Sequence, residues 1–190
     1  MTRIVAGSAR GRTLAVPRSG TRPTSERVRE ALFSHLEHYG YLEGATVADL
    51  FAGSGALALE ALSRGAARAV AVEAHAGAAK IIAANARTLG FAEQMCVRSQ
   101  KVESYLSATS EVLPLFDVAF LDPPYEYSDA VLAHVLELLA GHVAADGVIV
   151  VERAARSPQP VWPENFALSD ERKMGDTRVW SAERTPETIA

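Results

Sequence analysis

Between residues 46 and 152, short apolar stretches alternate with amphipathic ones in units of roughly 25 residues. Residues 46–50, 68–73, 95–98, 116–121 and 148–152 read as strands. They are apolar almost throughout, as burial on both faces of a sheet requires. Residues 56–64, 75–89, 102–108 and 128–140 carry helical spacing, and Gly65 and Gly90 close the first two. The pattern predicts an α/β fold, a parallel sheet with helices on both faces. Two further strands, near 166–173 and 177–183, flank Gly175-Asp176 with no helix between them. They predict an antiparallel hairpin at the sheet edge.

The segment ahead of this alternation is different. Residues 3–16 read as two short strands around Gly7-Ser8-Ala9-Arg10-Gly11. After a loop at 17–23, Thr24 is the expected N-cap of an amphipathic helix over 25–39. Two parts are therefore expected, a basic hairpin and helix at 1–40 and the α/β body at 41–190. The formal net charge of -4 over 190 residues hides a split between them. Residues 1–25 hold Arg3, Arg10, Arg12, Arg18 and Arg22 and no acid, so +5 sits on the arm and -9 on the rest. A basic arm on an acidic body points to a polyanionic partner. With 48% hydrophobic and 22% charged residues the chain is an ordinary globular one, not a disordered or fibrous one. The lone Cys96 excludes a disulfide framework and, lying in an apolar strand, is expected to be a small buried residue. No apolar run matches a signal peptide or a membrane helix, which predicts a cytoplasmic protein. The five histidines show no metal-ligand spacing with Cys or Asp, so no metal is expected.

Two loops carry the chemistry. Asp49-Leu50-Phe51-Ala52-Gly53-Ser54-Gly55 leaves the first strand and enters a helix. Gly53 and Gly55 allow a sharp turn and a close approach of backbone to ligand. Glu73 ends the next strand, where a carboxylate can accept both hydroxyls of a ribose. Asp49 would repel a pyrophosphate and suits a ligand that carries an ammonium group, such as the methionine part of S-adenosylmethionine. The second loop, Asp122-Pro123-Pro124-Tyr125, follows the fourth strand. Its prolines stiffen a segment that offers a carboxylate, carbonyl acceptors and an aromatic ring. Such a set can orient the N–H bonds of an exocyclic base amine while the ring stacks on the base. The lone pair of the amine then faces an electrophilic methyl, and positioning supplies much of the rate.

DLFAGSGALALEALSRGA, VEAHAGAAKIIAANARTLG and FLDPPY, in this order, resemble the Rossmann-like, class I S-adenosylmethionine-dependent methyltransferases that modify amino groups. With RIVAGSARGRTLAVP and RPTSERVREALFSHL added, nearly the whole chain resembles the bacterial 16S ribosomal RNA guanine-N2 methyltransferases of the RsmD type. The resemblance implies a seven-stranded, mainly parallel sheet ending in an antiparallel hairpin, with a small N-terminal β-hairpin and helix. It implies methyl transfer to the N2 amine of one guanine, with 16S rRNA or the assembling small subunit as partner. By the same resemblance Asp49, Phe51, Gly53 and Gly55 would contact methionine and ribose, Glu73 the ribose hydroxyls and Ala74 the adenine. Asp122 and the carbonyl of Pro123, held stiff by Pro124, would hold the target amine, and Tyr125 would stack on the guanine. Arg22 and Thr24 would close over the cofactor. Where the family often carries an Asp-Ala pair for the adenine amine, this chain has Lys101 and Val102, which leaves Gln100 or backbone atoms for that contact.

The resemblance gives the arm a role as well. Arg3, Arg10, Arg12 and Arg18 would lie on RNA phosphates, and the target guanine would leave its stack to reach Tyr125. A monomer is expected, with no membrane contact. A DNA amino-methyltransferase would use the same second loop on adenine N6 or cytosine N4. A non-catalytic RNA-binding protein would keep the fold but need a broken acceptor set. An NAD-dependent oxidoreductase is disfavoured by Asp49.

Overall fold

The computed structural model describes residues 2–17, 25–108, 113–124 and 126–185. Arg18, Arg22, Thr24 and Tyr125 lie outside the described residues.

The body is a three-layer α/β/α sandwich. Its strands are β3 (Thr46–Asp49), β4 (Arg68–Val72), β5 (Met95–Arg98), β6 (Phe116–Leu121), β7 (Val143–Ala154), β8 (Phe166–Met174) and β9 (Thr177–Arg184). They follow the small pair β1 (Thr2–Arg3) and β2 (Thr13–Leu14). The seven-stranded sheet runs β5-β4-β3-β6-β7-β9-β8, parallel up to β7, with β9 and β8 antiparallel. The chain steps outward from β3 on one side and returns to β6 on the other, so the sheet reverses direction between β3 and β6. That reversal opens a crevice at the carboxyl ends of those strands.

Neighbouring residues on each strand enter different cores, which is why the strands read as continuously apolar. Val47, Ala69, Ala71, Val118 and Phe120 pack beneath α1 (Glu26–His38), α2 (Ala56–Ser63) and α3 (Ala76–Leu89). Ala48, Val70, Val72, Ala119 and Leu121 face α4 (Val102–Leu106) and α5 (Asp129–Ala140). Phe33 of α1 meets Phe120 of β6 at 5.4 Å between ring centroids. The core of that face runs on into the arm through Ile4, Ala9 and Leu14.

Three expectations change. The cap of α1 is Ser25, whose hydroxyl accepts from the Val28 N–H, in place of Thr24, and the helix starts at Glu26. Ser beside Thr offers the same oxygen one residue later. Strand β7 starts at Val143, well ahead of 148, because Phe116 pairs with Val143 and Val118 with Val148 across a bulge. The bulge includes the exposed residues Ala145 and Asp146, which mask the strand pattern in the sequence. Cys96 is exposed, where burial was expected. It lies on the edge strand β5, opposite Val70 of β4, with a strand neighbour on one side only.

The arm is fastened to α2 by a buried carboxylate. Glu60 is fully buried and accepts from the backbone N–H groups of Val5 (2.8 Å) and Ala6 (3.0 Å). Arg64 donates to it from one turn later (2.8 Å), and the Arg29 Nε of α1 lies 3.4 Å from it. Burial lowers the pKa of Arg29, and Glu60 opposes that fall. Ser63 adds hydrogen bonds to Ala9 N–H and the Ala6 carbonyl. Gly7 sits so close that a Cβ would fall 1.8 Å from the Ser63 carbonyl oxygen. Glu60→Ala leaves two buried guanidinium groups facing an empty site. A loss of about 3–5 kcal/mol is expected in urea unfolding, and a change below about 1 would show that the cluster does not hold the arm.

Candidate active site

Three carboxylates converge at the crevice: Asp49 at the end of β3, Glu73 after β4 and Asp122 after β6. All three line one cavity of about 620 Å³. The turn after β3 is built for close approach. Gly53 and Gly55 adopt φ of 54° and 77°, a conformation side chains disfavour. A Cβ on Gly55 would also meet Ile82 of α3 at 2.9 Å.

Glu73 ties this turn to the next one. One of its oxygens accepts from Gly53 N–H (2.9 Å) and the other from His75 N–H (2.8 Å). A carboxylate has about four lone-pair positions, so hydroxyls of a ligand can still be accepted. Asp49 is 1% exposed, and its Oδ2 accepts from Ala58 N–H in the first turn of α2 (3.2 Å). Its Oδ1 is buried with no hydrogen-bond partner. Burial, with Asp122 and Glu73 nearby, pushes the Asp49 carboxyl up to about 7, against the Ala58 hydrogen bond.

The opposite wall comes from the second loop and the hairpin. Asp122 engages a neighbour and lines the cavity with Pro123 and Pro124. The Pro124 carbonyl is taken by Tyr127 N–H (2.9 Å). Tyr127 donates its hydroxyl to Glu103 of α4, sets its ring edge-on to Phe51 at 5.1 Å and gives its carbonyl to Arg153 (2.9 Å). Arg153 is also ion-paired to Asp129. This strut braces the loop that follows β6 against the loop that follows β3.

The structure brings Asp49, Phe51, Gly53, Glu73, Ala74, Gln100, Lys101, Val102, Asp122, Pro123 and Pro124 to one cavity. Gly55 caps α2 just behind it. The Val102 side chain belongs to the core, so the β5–α4 turn offers the cavity Gln100 and Lys101, and α4 offers mainly Glu103. Among the described residues, Arg3, Arg10 and Arg12 of the arm do not line the cavity. Arg3 pairs with Glu26, Arg12 donates to the Thr88 carbonyl, and Arg10 is exposed. Glu103, Tyr127, Glu152 and Arg153 line the cavity without a motif that marks them. Tyr127 alone carried a signal, as a second tyrosine just after Asp122-Pro123-Pro124-Tyr125.

The donor set fits S-adenosylmethionine. An ammonium at Asp49 would give Oδ1 the partner it lacks, and acids outnumber bases around the cavity. A diphosphate would meet the same acids with repulsion. Fold and site together define a class I, Rossmann-like S-adenosylmethionine-dependent methyltransferase.

The chain belongs to the family described as conserved hypothetical protein 95, whose model matches residues 2–183. It is 36% identical over 193 residues to the ribosomal RNA small subunit methyltransferase D of Escherichia coli K12, covering 99% of this chain and 93% of that one. It is 38% identical over 175 residues to the protein of that name in Haemophilus influenzae, covering 91% and 89%. A solved structure from Escherichia coli assigned as a methyltransferase, yhhF, superposes with a TM-score of 0.85 at 33% identity, covering 97% and 98%. The RsmD-type resemblance of the motifs is thus matched over almost the full length.

The Asp49 carboxyl gives the unliganded protein a pH signature. Its folded pKa is raised, so the native state holds this proton more tightly than the unfolded chain, whose carboxyl titrates near 3.8. The stability from that proton is complete below about pH 4 and is lost as the pH rises to about 7. Asp49→Asn should flatten this fall when urea midpoints are compared across the window. An unaltered profile would show that Asp49 ionises freely.

Proposed function

We propose that this chain transfers a methyl group from S-adenosylmethionine to the exocyclic N2 amine of one guanine in 16S ribosomal RNA. The observation that carries this reading is the placement of Asp122-Pro123-Pro124 at the sheet reversal, facing Asp49 and Glu73 across one cavity. The names of the full-length relatives support RNA of the small ribosomal subunit as substrate. No helix among the described residues is long and apolar enough to cross a membrane, which is consistent with a cytoplasmic enzyme.

The bound cofactor supplies a methyl carbon on a positively charged sulfur. Asp49 takes its ammonium, Glu73 its ribose hydroxyls and Ala74 with Gln100 and Lys101 the edge of its adenine. Phe51, Gly53 and Gly55 shape the turn against it. Asp122 and the Pro123 carbonyl accept the two N–H bonds of the target amine, which fixes the direction of its lone pair. The ring of Tyr125 stacks on the guanine. The amine nitrogen would then bond to the methyl carbon as the carbon–sulfur bond breaks with its electron pair left on sulfur, and the Asp122 carboxylate would take one nitrogen proton. Residues 1–40 form the part that meets RNA and residues 41–190 the part that carries the reaction, in a monomer. Arg22 and Thr24 close over the cofactor.

Asp122→Ala should lower methyl transfer by at least about a hundredfold while cofactor affinity, read by calorimetry, changes little. Unchanged turnover removes Asp122 from the step. Label from methyl-tritiated cofactor should enter purified small-subunit RNA or particles and not duplex DNA, and digestion should place it on guanine N2. Label on adenine or cytosine of DNA would establish the DNA reading instead.

Arm contacts give a second readout. RNA affinity should fall steeply with salt, by roughly 0.7–0.9 counterions for each phosphate neutralised. The double substitution Arg10→Ala with Arg18→Ala should lower that slope by about two contacts and leave cofactor affinity unchanged. An unchanged slope moves the RNA surface elsewhere.

A further inference from the structure

Asn85 sits inside α3 with its side chain 5% exposed, on a helix whose buried face is otherwise apolar. Asparagine is a weak helix former because its amide competes with the backbone. Here every polar atom of that amide is used. Oδ1 accepts from Ala15 N–H (2.9 Å), and Nδ2 donates to the Ala15 carbonyl (2.9 Å) and to the Ser54 carbonyl (3.2 Å). The orientation is fixed by the partners, since a flipped amide would set a donor against Ala15 N–H.

The two ends of this link belong to different parts of the proposed reaction. Ser54 lies between Gly53 and Gly55 in the turn that shapes the cofactor site. Ala15 directly follows β2 and precedes the stretch that carries Arg18 and Arg22. Beyond that stretch the chain returns at Ser25 and Val28, which line the cofactor cavity. One helical turn along α3, Arg12 donates to the Thr88 carbonyl (2.8 Å) and lays the hairpin along the same helix.

We infer that Asn85 is a positioning residue that couples RNA binding on the arm to cofactor binding in the glycine turn. The inference rests on the reading of the arm as an RNA-contacting element. A ligand that holds the Ser54 turn holds Nδ2, and through Oδ1 and Nδ2 it holds Ala15 and the arm. By thermodynamic reciprocity, RNA that orders the arm raises cofactor affinity by the same factor. The link is short, buried and satisfied at both ends, so it has no slack in which to lose the coupling.

The test measures affinity for S-adenosylhomocysteine by calorimetry, with and without purified small-subunit RNA. In the unaltered protein RNA should raise that affinity by about five- to tenfold, the lower part of the usual range for coupled sites. In Asn85→Ala the factor should fall to about one, whatever the separate affinities do; a merely structural role would shift those affinities and leave the factor alone. Ala15→Pro removes the N–H that Oδ1 accepts, leaves the Ser54 contact in place and lies outside the α/β body. It should lower the factor too. A factor of about one in the unaltered protein, or a factor that survives both substitutions, overturns the inference. If instead the Arg10→Ala, Arg18→Ala protein binds RNA as tightly as the unaltered one, the RNA reading of the arm falls, and the inference falls with it.

Discussion

The Glu60 carboxylate is the contact on which the arrangement of this molecule depends. It is fully buried on the outer side of α2, the helix whose other end forms the glycine turn. A charge in that position needs partners, and it takes them from three separate segments: Val5 and Ala6 N–H of the arm, Arg29 of α1 and Arg64 of α2. Arg64 passes the network on to Glu37 near the end of α1. Hydrophobic burial alone would hold the arm against the body without fixing its register. The directional N–H contacts fix it, and Ser63 and Gly7 leave no room for a different one.

A single network therefore ties the start of the arm, α1 and α2 together. The second consequence lies at the other end of α2. Asp49 accepts from the Ala58 N–H, and Glu73 accepts from Gly53 N–H, so the carboxylates of the site also hold the helix and the turn in place. The side chains proposed to bind the cofactor are thus also fold-holding groups. Burial, with Asp122 and Glu73 beside it, pushes the Asp49 carboxyl up to about 7.

Much of this was legible in the sequence, and the parts that were not share a cause. The βα alternation, the edge hairpin and the placing of Asp49, Glu73 and Asp122 just past strand ends all follow from local patterns: apolar runs, glycines past strand ends, and acids at fixed places beside them. Glu60, Asn85 and the Tyr127–Glu103 pair did not announce themselves. Each acts through a partner 24 or more residues away in the chain, so no local spacing marks it. A lone acid in ALALEALS and a lone amide in the apolar face of α3 were the only traces, and both read as defects of a helix until the partner is known. Cys96 failed in the opposite sense. Its strand pattern was read correctly, but burial depends on what covers the strand, and among the described residues β5 is an edge of the sheet.

The acidity of the cleft bears on what happens after the reaction. Asp49, Glu73, Asp122 and their neighbours make the cavity wall acidic, and in the proposed reaction the cofactor would enter it with a positive sulfur and leave without one. The field that draws the ligand in is therefore weaker for the spent form than for the fresh one. Exchange of the two at the end of each cycle would then be favoured by the walls of the site themselves.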